Sequence, residues 1–145
     1  MCGDEYPIIS RSDFQGLLMA LTKIENKEVI KKIKTIFKEN PNFFQYILKI
    51  IPIDYVCETQ TQTISEIIQS SYNMYIHSED SFKIVLNRRK SPYIDRQLIL
   101  KKIGSILNNK VDLEHPDKII RVEILGNVTG ISYLSPNEII KPKDL

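Results

Sequence analysis

Two runs of β-favouring residues, Ile119 to Leu125 and Val128 to Leu134, are separated by Gly126-Asn127 alone. That spacing leaves the chain little choice but a tight antiparallel hairpin. An isolated hairpin is marginal in water, so its apolar face must be met by further strands or helices. The next partner upstream is Phe82 to Asn87, where Phe82, Ile84 and Leu86 share one face and Lys83, Val85 and Asn87 the other, the alternation of a strand. Between that strand and the hairpin, Ile99, Ile103 and Ile106 recur at helical spacing, with Lys101 and Lys102 turned to solvent. Ser91-Pro92 or Asp95 can start this helix, and Asn108-Asn109 closes it. Before the strand, Thr63 and Glu66 form a capping-box pattern opening a helix with Ile64, Ile67, Ile68 and Tyr72 on one face. From residue 63 onward the order is helix, strand, helix, strand, strand, which places the chain in the α/β class.

The residues before this are read as mainly helical. After an extended start at Tyr6 to Ser10, Ser12 with Gln15 repeats the capping-box spacing, and Phe14, Leu17, Leu18 and Leu21 follow at helical intervals. A short helix is expected to begin near Asp13. Asn26 can cap a second helix with Val29, Ile30, Ile33, Ile36 and Phe37 as one apolar stripe, Lys31, Lys32, Lys34 and Lys38 largely on its other faces, and Asn40-Pro41 at its end. Tyr46 to Cys57 is rich in Ile, Tyr and Val, and Pro52 in its midst favours an edge or irregular strand. The chain has no internal repeat and no low-complexity segment.

The formal net charge of +2 hides an asymmetry. Residues 82 to 110 carry 8 basic side chains and 1 acidic one, whereas the flanking segments are net acidic. A window of 29 residues nearly free of acids, in a chain otherwise rich in them, points to contact with nucleic acid. The competing reading is a protein assembly subunit whose basic window docks an acidic partner. No stretch reaches the ~20 apolar residues of a membrane span, and MCGDEYPIIS lacks the basic and apolar regions of a signal peptide. Cys2 and Cys57 read as free thiols in a reducing, cytoplasmic setting. Heavy use of Ile and Lys points to an AT-rich genome and an archaeal source.

Catalytic chemistry is hard to assemble from these residues. The glycines, Gly3, Gly16, Gly104, Gly126 and Gly130, are isolated rather than clustered for a phosphate loop. Cys2, Cys57, His77 and His115 are too scattered for a zinc site, so neither metal nor cofactor is expected. Cys57 in an apolar strand is read as packing. Asp112, Glu114 and Asp117 lie close enough for acid/base work, but together with Pro116 they fit a turn and cap better.

Residues 82 to 136 carry four features in a particular order: the basic strand end NRRK, the Ile103-Gly104 pair in the following helix, the turn of Val111, Asp112, Leu113, Pro116 and Asp117, and the closing hairpin. In these the segment resembles the THUMP domain found in many tRNA-modifying enzymes. Upstream, IIPIDYVCET, residues 50 to 59, looks like the start of that domain in the adaptor family that assists tRNA cytidine acetyltransferase. The resemblance implies a small mixed sheet with packed helices over residues 47 to 145, and a mainly helical, partial ferredoxin-like region over 1 to 46. It further implies binding to the acceptor end of tRNA as a non-catalytic accessory to a modifying enzyme. Catalytic members attach a further domain, and the sequence closes at Leu145 without one, so the stand-alone form is expected. Lys83, Arg88, Arg89 and Lys90 at the strand and its end, with Arg96, Lys101 and Lys102 on the next helix, are the expected phosphate contacts.

Overall fold

The hairpin read from Gly126-Asn127 forms the two middle strands of a four-stranded sheet. In the computed structural model, which describes residues 8–12, 14–92 and 94–142, two groups of residues form separate units: 1–50 with 140–145, and 51–139. In the larger unit, strands β5 (Lys118–Leu125) and β6 (Val128–Leu134) pair antiparallel across the two-residue turn. Gly126 takes the left-handed backbone, at φ 61, that a primed hairpin turn requires at its first central position. Strand β4 (Phe82–Arg89) lies parallel to β5, and strand β3 (Tyr55–Glu58) antiparallel to β6, giving the sheet order β3-β6-β5-β4. Strands β3, β4 and β5 therefore all run the same way.

A parallel neighbour needs a crossover, and helix α3 (Arg96–Ile106) supplies the one from β4 to β5. Helix α2 (Thr61–Ser71) links β3 to β4. Ile64 and Ile68 of α2 and Ile99 and Ile103 of α3 join Phe82, Leu86, Ile120, Val122, Ile124, Ile131 and Tyr133 in one buried cluster. Burying each such aliphatic side chain contributes roughly 1.5–3 kcal/mol. The expected order of elements from residue 63 onward is present throughout.

The structure decides details of three elements, and in one of them, the start of α2, it departs from expectation. Asp95, one of the two proposed starts of α3, is the one used: its carboxylate accepts from the amides of Gln97 (3.0 Å) and Leu98 (3.2 Å). The capping box of Thr63 and Glu66 is not formed. Helix α2 starts earlier, at Thr61 after Gln60, because β3 ends at Glu58 and the Thr59 amide is tied to the Asn127 carbonyl at 3.0 Å, which turns the chain at once. Thr63 instead donates to the Gln60 side chain and Gln62 to Glu66. The Ile/Tyr/Val-rich stretch from Tyr46 yields a strand only at Tyr55–Glu58, at a sheet edge, downstream of Pro52. Gly130 in β6 has its own reason: a Cβ there would sit 3.1 Å from Cδ1 and Cγ2 of Ile53, which lies over it.

In the smaller unit the helix expected near Asp13 is replaced by a β-hairpin of β1 (Ile8–Arg11) and β2 (Leu18–Leu21), with Ile8 opposite Leu21 and Arg11 opposite Leu18. The Ser12 hydroxyl lies 2.8 Å from the Leu17 carbonyl and accepts from the Phe14 amide at 3.1 Å, closing a turn instead of capping a helix. Gly16 turns the backbone back at φ 78. Cys2, Tyr6 and Asp13 lie outside the described residues. Helix α1 (Asn26–Glu39) forms as expected, although Glu25 rather than Asn26 stands at its N-cap. Its Ile30 and Ile33 pack with Ile140, flanked by Val29, Ile36, Phe37 and Ile50, and Ile50 bridges Ile140 through the backbone. Among the described residues, no helix is long and apolar enough to cross a membrane.

Ile103 is fully buried and Leu98, on the same helix, is 45 % exposed. Ile103→Ala is therefore expected to lower the unfolding free energy by about 2–5 kcal/mol, and Leu98→Ala to change it by about 0.5 kcal/mol or less. Urea denaturation followed by circular dichroism checks both, and equal losses would contradict the packing described.

Candidate nucleic-acid interface

Because three strands run in parallel, their last residues collect along one end of the sheet. Glu58, Val128, Leu125 and Arg89 form a continuous row of paired neighbours across β3, β6, β5 and β4. Helices α2 and α3 also begin at this end, so their positive dipole ends add to it. In open α/β sheets this is where ligands bind, outside the carboxyl ends of the parallel strands.

The NRRK segment is the outlet of β4 onto this edge. Arg88, Arg89 and Lys90 are all exposed there, and Arg96 stands exposed in the first turn of α3. The connection between them is tightly held. The Arg89 carbonyl accepts from the Gly126 amide at 2.8 Å, and the buried Ser91 donates its hydroxyl to the Gly126 carbonyl at 2.8 Å. Arg88 Nη1 donates to the Ile94 carbonyl at 2.5 Å, and Arg96 Nη1 to the Leu86 carbonyl at 2.5 Å. Lys90 carries a side chain in the left-handed region, at φ 52, which is uncommon outside glycine.

The structure thus brings Arg88, Arg89, Lys90 and Arg96 together. Lys101 and Lys102 lie roughly 8 Å further along α3 by helical rise, exposed and half-buried respectively. Lys83 sits near the start of β4, opposite Ile119, about 20 Å from Arg89 at the rise of a strand. A further cation, Arg121, is buried on β5 and engaged by Glu123 at 2.5 Å, and Glu123 also accepts from Asn87 at 3.2 Å.

Sequence reasoning did not single out Ser91 for this edge, nor Thr59, Gln60, Asn127 and Glu58, which line a shallow recess beside the hairpin turn or, for Ser91, fasten the basic connection. Only the pairing of distant strands makes them neighbours, and nothing local signals it. The buried Thr59 and Thr129 hydroxyls, 2.9 Å apart, are a second such link.

The acidic turn lies by the opposite end of the sheet, where Val111 bridges Phe82. Asp112 accepts from the amides of Glu114 (3.1 Å) and His115 (2.9 Å), and Asp117 from the amide and hydroxyl of Ser81 (2.9 and 3.1 Å). These bonds are those of a turn and a clasp. Burial, and then the charge of Glu58, push the Cys57 thiol above its ordinary pKa, which disfavours the nucleophilic thiolate. Tyr133 is buried, with its hydroxyl 2.7 Å from Ser71 and its ring stacked on Tyr75, and burial pushes its pKa up to about 12. Among the described residues, no group of three His, Cys, Asp or Glu side chains is placed to hold a metal.

The model of the THUMP domain family matches residues 58–134. Among solved structures, PH1313 from Pyrococcus horikoshii Ot3 is similar with a TM-score of 0.63 and 20% identity, over 86% of this chain and 39% of that one. TrmN from Thermus thermophilus is similar with a TM-score of 0.51 and 10% identity, over 80% of this chain and 34% of that one. A 4-thiouridine synthetase solved as an RNA complex with bound ATP has a TM-score of 0.48 and 14% identity, over 93% and 41% of the two chains. The chain thus spans 34% to 41% of the length of these relatives. No curated protein matches it.

The backbone bonds from His115 and Glu114 hold the Asp112 carboxyl below its ordinary range. A depressed folded pKa means that the turn is fully supported above the unfolded value, about 3.9, and loses that support as pH falls through the lower folded value. A carboxyl titration by NMR is expected to place the Asp112 midpoint below about 3.9, with the Glu114 and His115 amide shifts following the same curve. A midpoint at or above the ordinary value would remove the turn from its structural role.

Proposed function

This chain belongs to the THUMP domain family, whose model covers residues 58–134, and from that membership we propose that it binds structured RNA, specifically the acceptor end of tRNA. It acts as a non-catalytic, cytoplasmic accessory that presents tRNA to a modifying enzyme such as a cytidine N4-acetyltransferase. The THUMP part is assigned to residues 47 to 145, with residues 1 to 46 as a partial ferredoxin-like companion.

The observation that carries the reading is the convergence of Arg88, Arg89, Lys90 and Arg96 on the sheet end where both helices of the larger unit begin. Lys101 and Lys102 extend that positive surface along α3, and Lys83 is its outlying member. Such contacts fix RNA by its phosphates without reading bases, so recognition rests on shape and on the single-stranded end. Two acids, Asp95 at the cap of α3 and the exposed Glu58 of β3, share the edge with the four convergent cations. The resemblance of residues 50 to 59 to the acetyltransferase adaptors supports the choice of partner.

Affinity for a tRNA transcript is expected to fall by orders of magnitude between about 50 and 200 mM salt if ~6 phosphates are engaged. Arg89→Ala with Lys90→Ala is expected to lower the slope of log affinity against log salt by about two, whereas Lys31→Ala with Lys32→Ala leaves it unchanged. Fluorescence anisotropy reads both, and a flat salt response would end the electrostatic reading. Deleting the gene is expected to lower N4-acetylcytidine in total tRNA nucleosides measured by mass spectrometry. A deficit in a different modified nucleoside would keep the RNA accessory and replace the enzyme partner.

A further inference from the structure

The cations at the basic edge are not equivalent. Arg88, on the strand, reaches forward to the carbonyl of Ile94, just before the cap of α3. Arg96, in the first turn of that helix, reaches back to the carbonyl of Leu86 within the strand. The two bonds cross, and together they close the chain between residues 86 and 96 into a braced loop. The second bond has a clear cause: β4 is an edge strand of the sheet, and half of an edge strand's carbonyls point away from its one neighbour. Without the Arg96 guanidinium that carbonyl would have only water.

The same loop is fastened from the other side by the hairpin turn, through the Gly126 amide to Arg89 and the Ser91 hydroxyl to Gly126. Between these attachments stands Lys90 at φ 52. Glycine, or less readily asparagine, takes that backbone with ease, and a long side chain does so at a conformational cost. A lysine held there by four surrounding bonds has its position over-determined, the arrangement in which local strain persists at functional sites.

We propose that Arg88 and Arg96 are positioning residues, which brace the β4–α3 connection through backbone carbonyls, and that Arg89 and Lys90 are the side chains this brace presents to RNA phosphates. The proposal rests on the RNA-binding reading and divides its basic cluster into two roles. It explains the use of arginine at 88 and 96. A planar guanidinium spans the distance to a fixed carbonyl and keeps further donors in a set plane, and a lysine ammonium does not reproduce that geometry. A phosphate contact, by contrast, is served by either cation.

Charge-conserving variants of the full chain therefore separate the roles. Arg88→Lys and Arg96→Lys are each expected to lower the melting temperature and to weaken binding of a tRNA transcript about tenfold, whereas Arg89→Lys and Lys90→Arg stay within about twofold of the parent. Lys90→Gly removes the cation and the backbone strain together. Its salt slope is expected to fall by about one, while its melting temperature does not drop, a combination that a purely structural Lys90 would not give. The division of roles is overturned if Arg88→Lys and Arg96→Lys keep parental affinity and melting temperature, or if Lys90→Gly leaves the salt slope unchanged. A parent protein that binds no tRNA at all would end the RNA reading and the presenting role with it. The brace is then decided by NMR: guanidinium protons of Arg88 and Arg96 that exchange as fast as those of Arg89 would overturn it.

Discussion

The parallel pairing of β4 with β5 runs unbroken from Phe82 opposite Lys118 to Arg89 opposite Leu125, and the placement of the basic residues hangs on it. Parallel strands cannot be joined by a tight turn, so this pairing demands α3, and α3 in turn has to be held by burial of Ile99 and Ile103 against the sheet. The strand that receives both is β5, whose Ile120, Val122 and Ile124 are fully buried. Backbone pairing and apolar burial thus act on the same residues. The consequence reaches the edge directly, because a strand that ends in register at Leu125 fixes where Arg89 ends beside it.

The elements most legible in the sequence were those whose signals are local and redundant. The hairpin had both a two-residue spacing and two β-rich runs; β4 had strict alternation; α3 had isoleucines at helical intervals and a capping aspartate. Ser12 to Leu21 lacked that redundancy. Leu17, Leu18 and Leu21 satisfy helical spacing, but Leu18 to Leu21 is also short enough to be a strand, and the deciding features were the bonds of the Ser12 hydroxyl and the left-handed backbone at Gly16. A serine followed three residues later by glutamine describes a capping box equally well, since the same hydroxyl can serve a helix start or a turn. Thr63 with Glu66 shows the same ambiguity, settled there by where β3 ends.

The charge of the candidate site was legible and its mechanics were not. The excess of basic residues between 82 and 110 marks the segment, and the strand-then-helix reading puts Arg88 to Lys90 and Arg96 at a junction. Nothing in the sequence tells a guanidinium bonded to a carbonyl from one left to water, since that depends on the exposed edge of β4 and on the path of the 90–95 connection. Lys83 illustrates the converse. It belongs to the same charge window, yet the length of a strand separates it from Arg89. Sequence distance translates into spatial distance along a strand and ceases to do so across a turn, which is why Gly126 and Ser91, so far apart in the chain, touch.

Gly130 shows how the fold excludes near misses. The space under Ile53 is tight, for a methyl carbon at this position would stand 3.1 Å from two of its carbons and would press that side chain aside. Sliding β6 by a single position would bring Thr129 or Ile131 beneath that side chain and would exchange the residues on the two faces of a strand that is buried from Thr129 to Leu134. Glycine weakens a strand in general, so its presence here trades some local stability for register: it is the notch of a key, and the alignment that sets it beneath Ile53 is the one that packs without displacing that side chain.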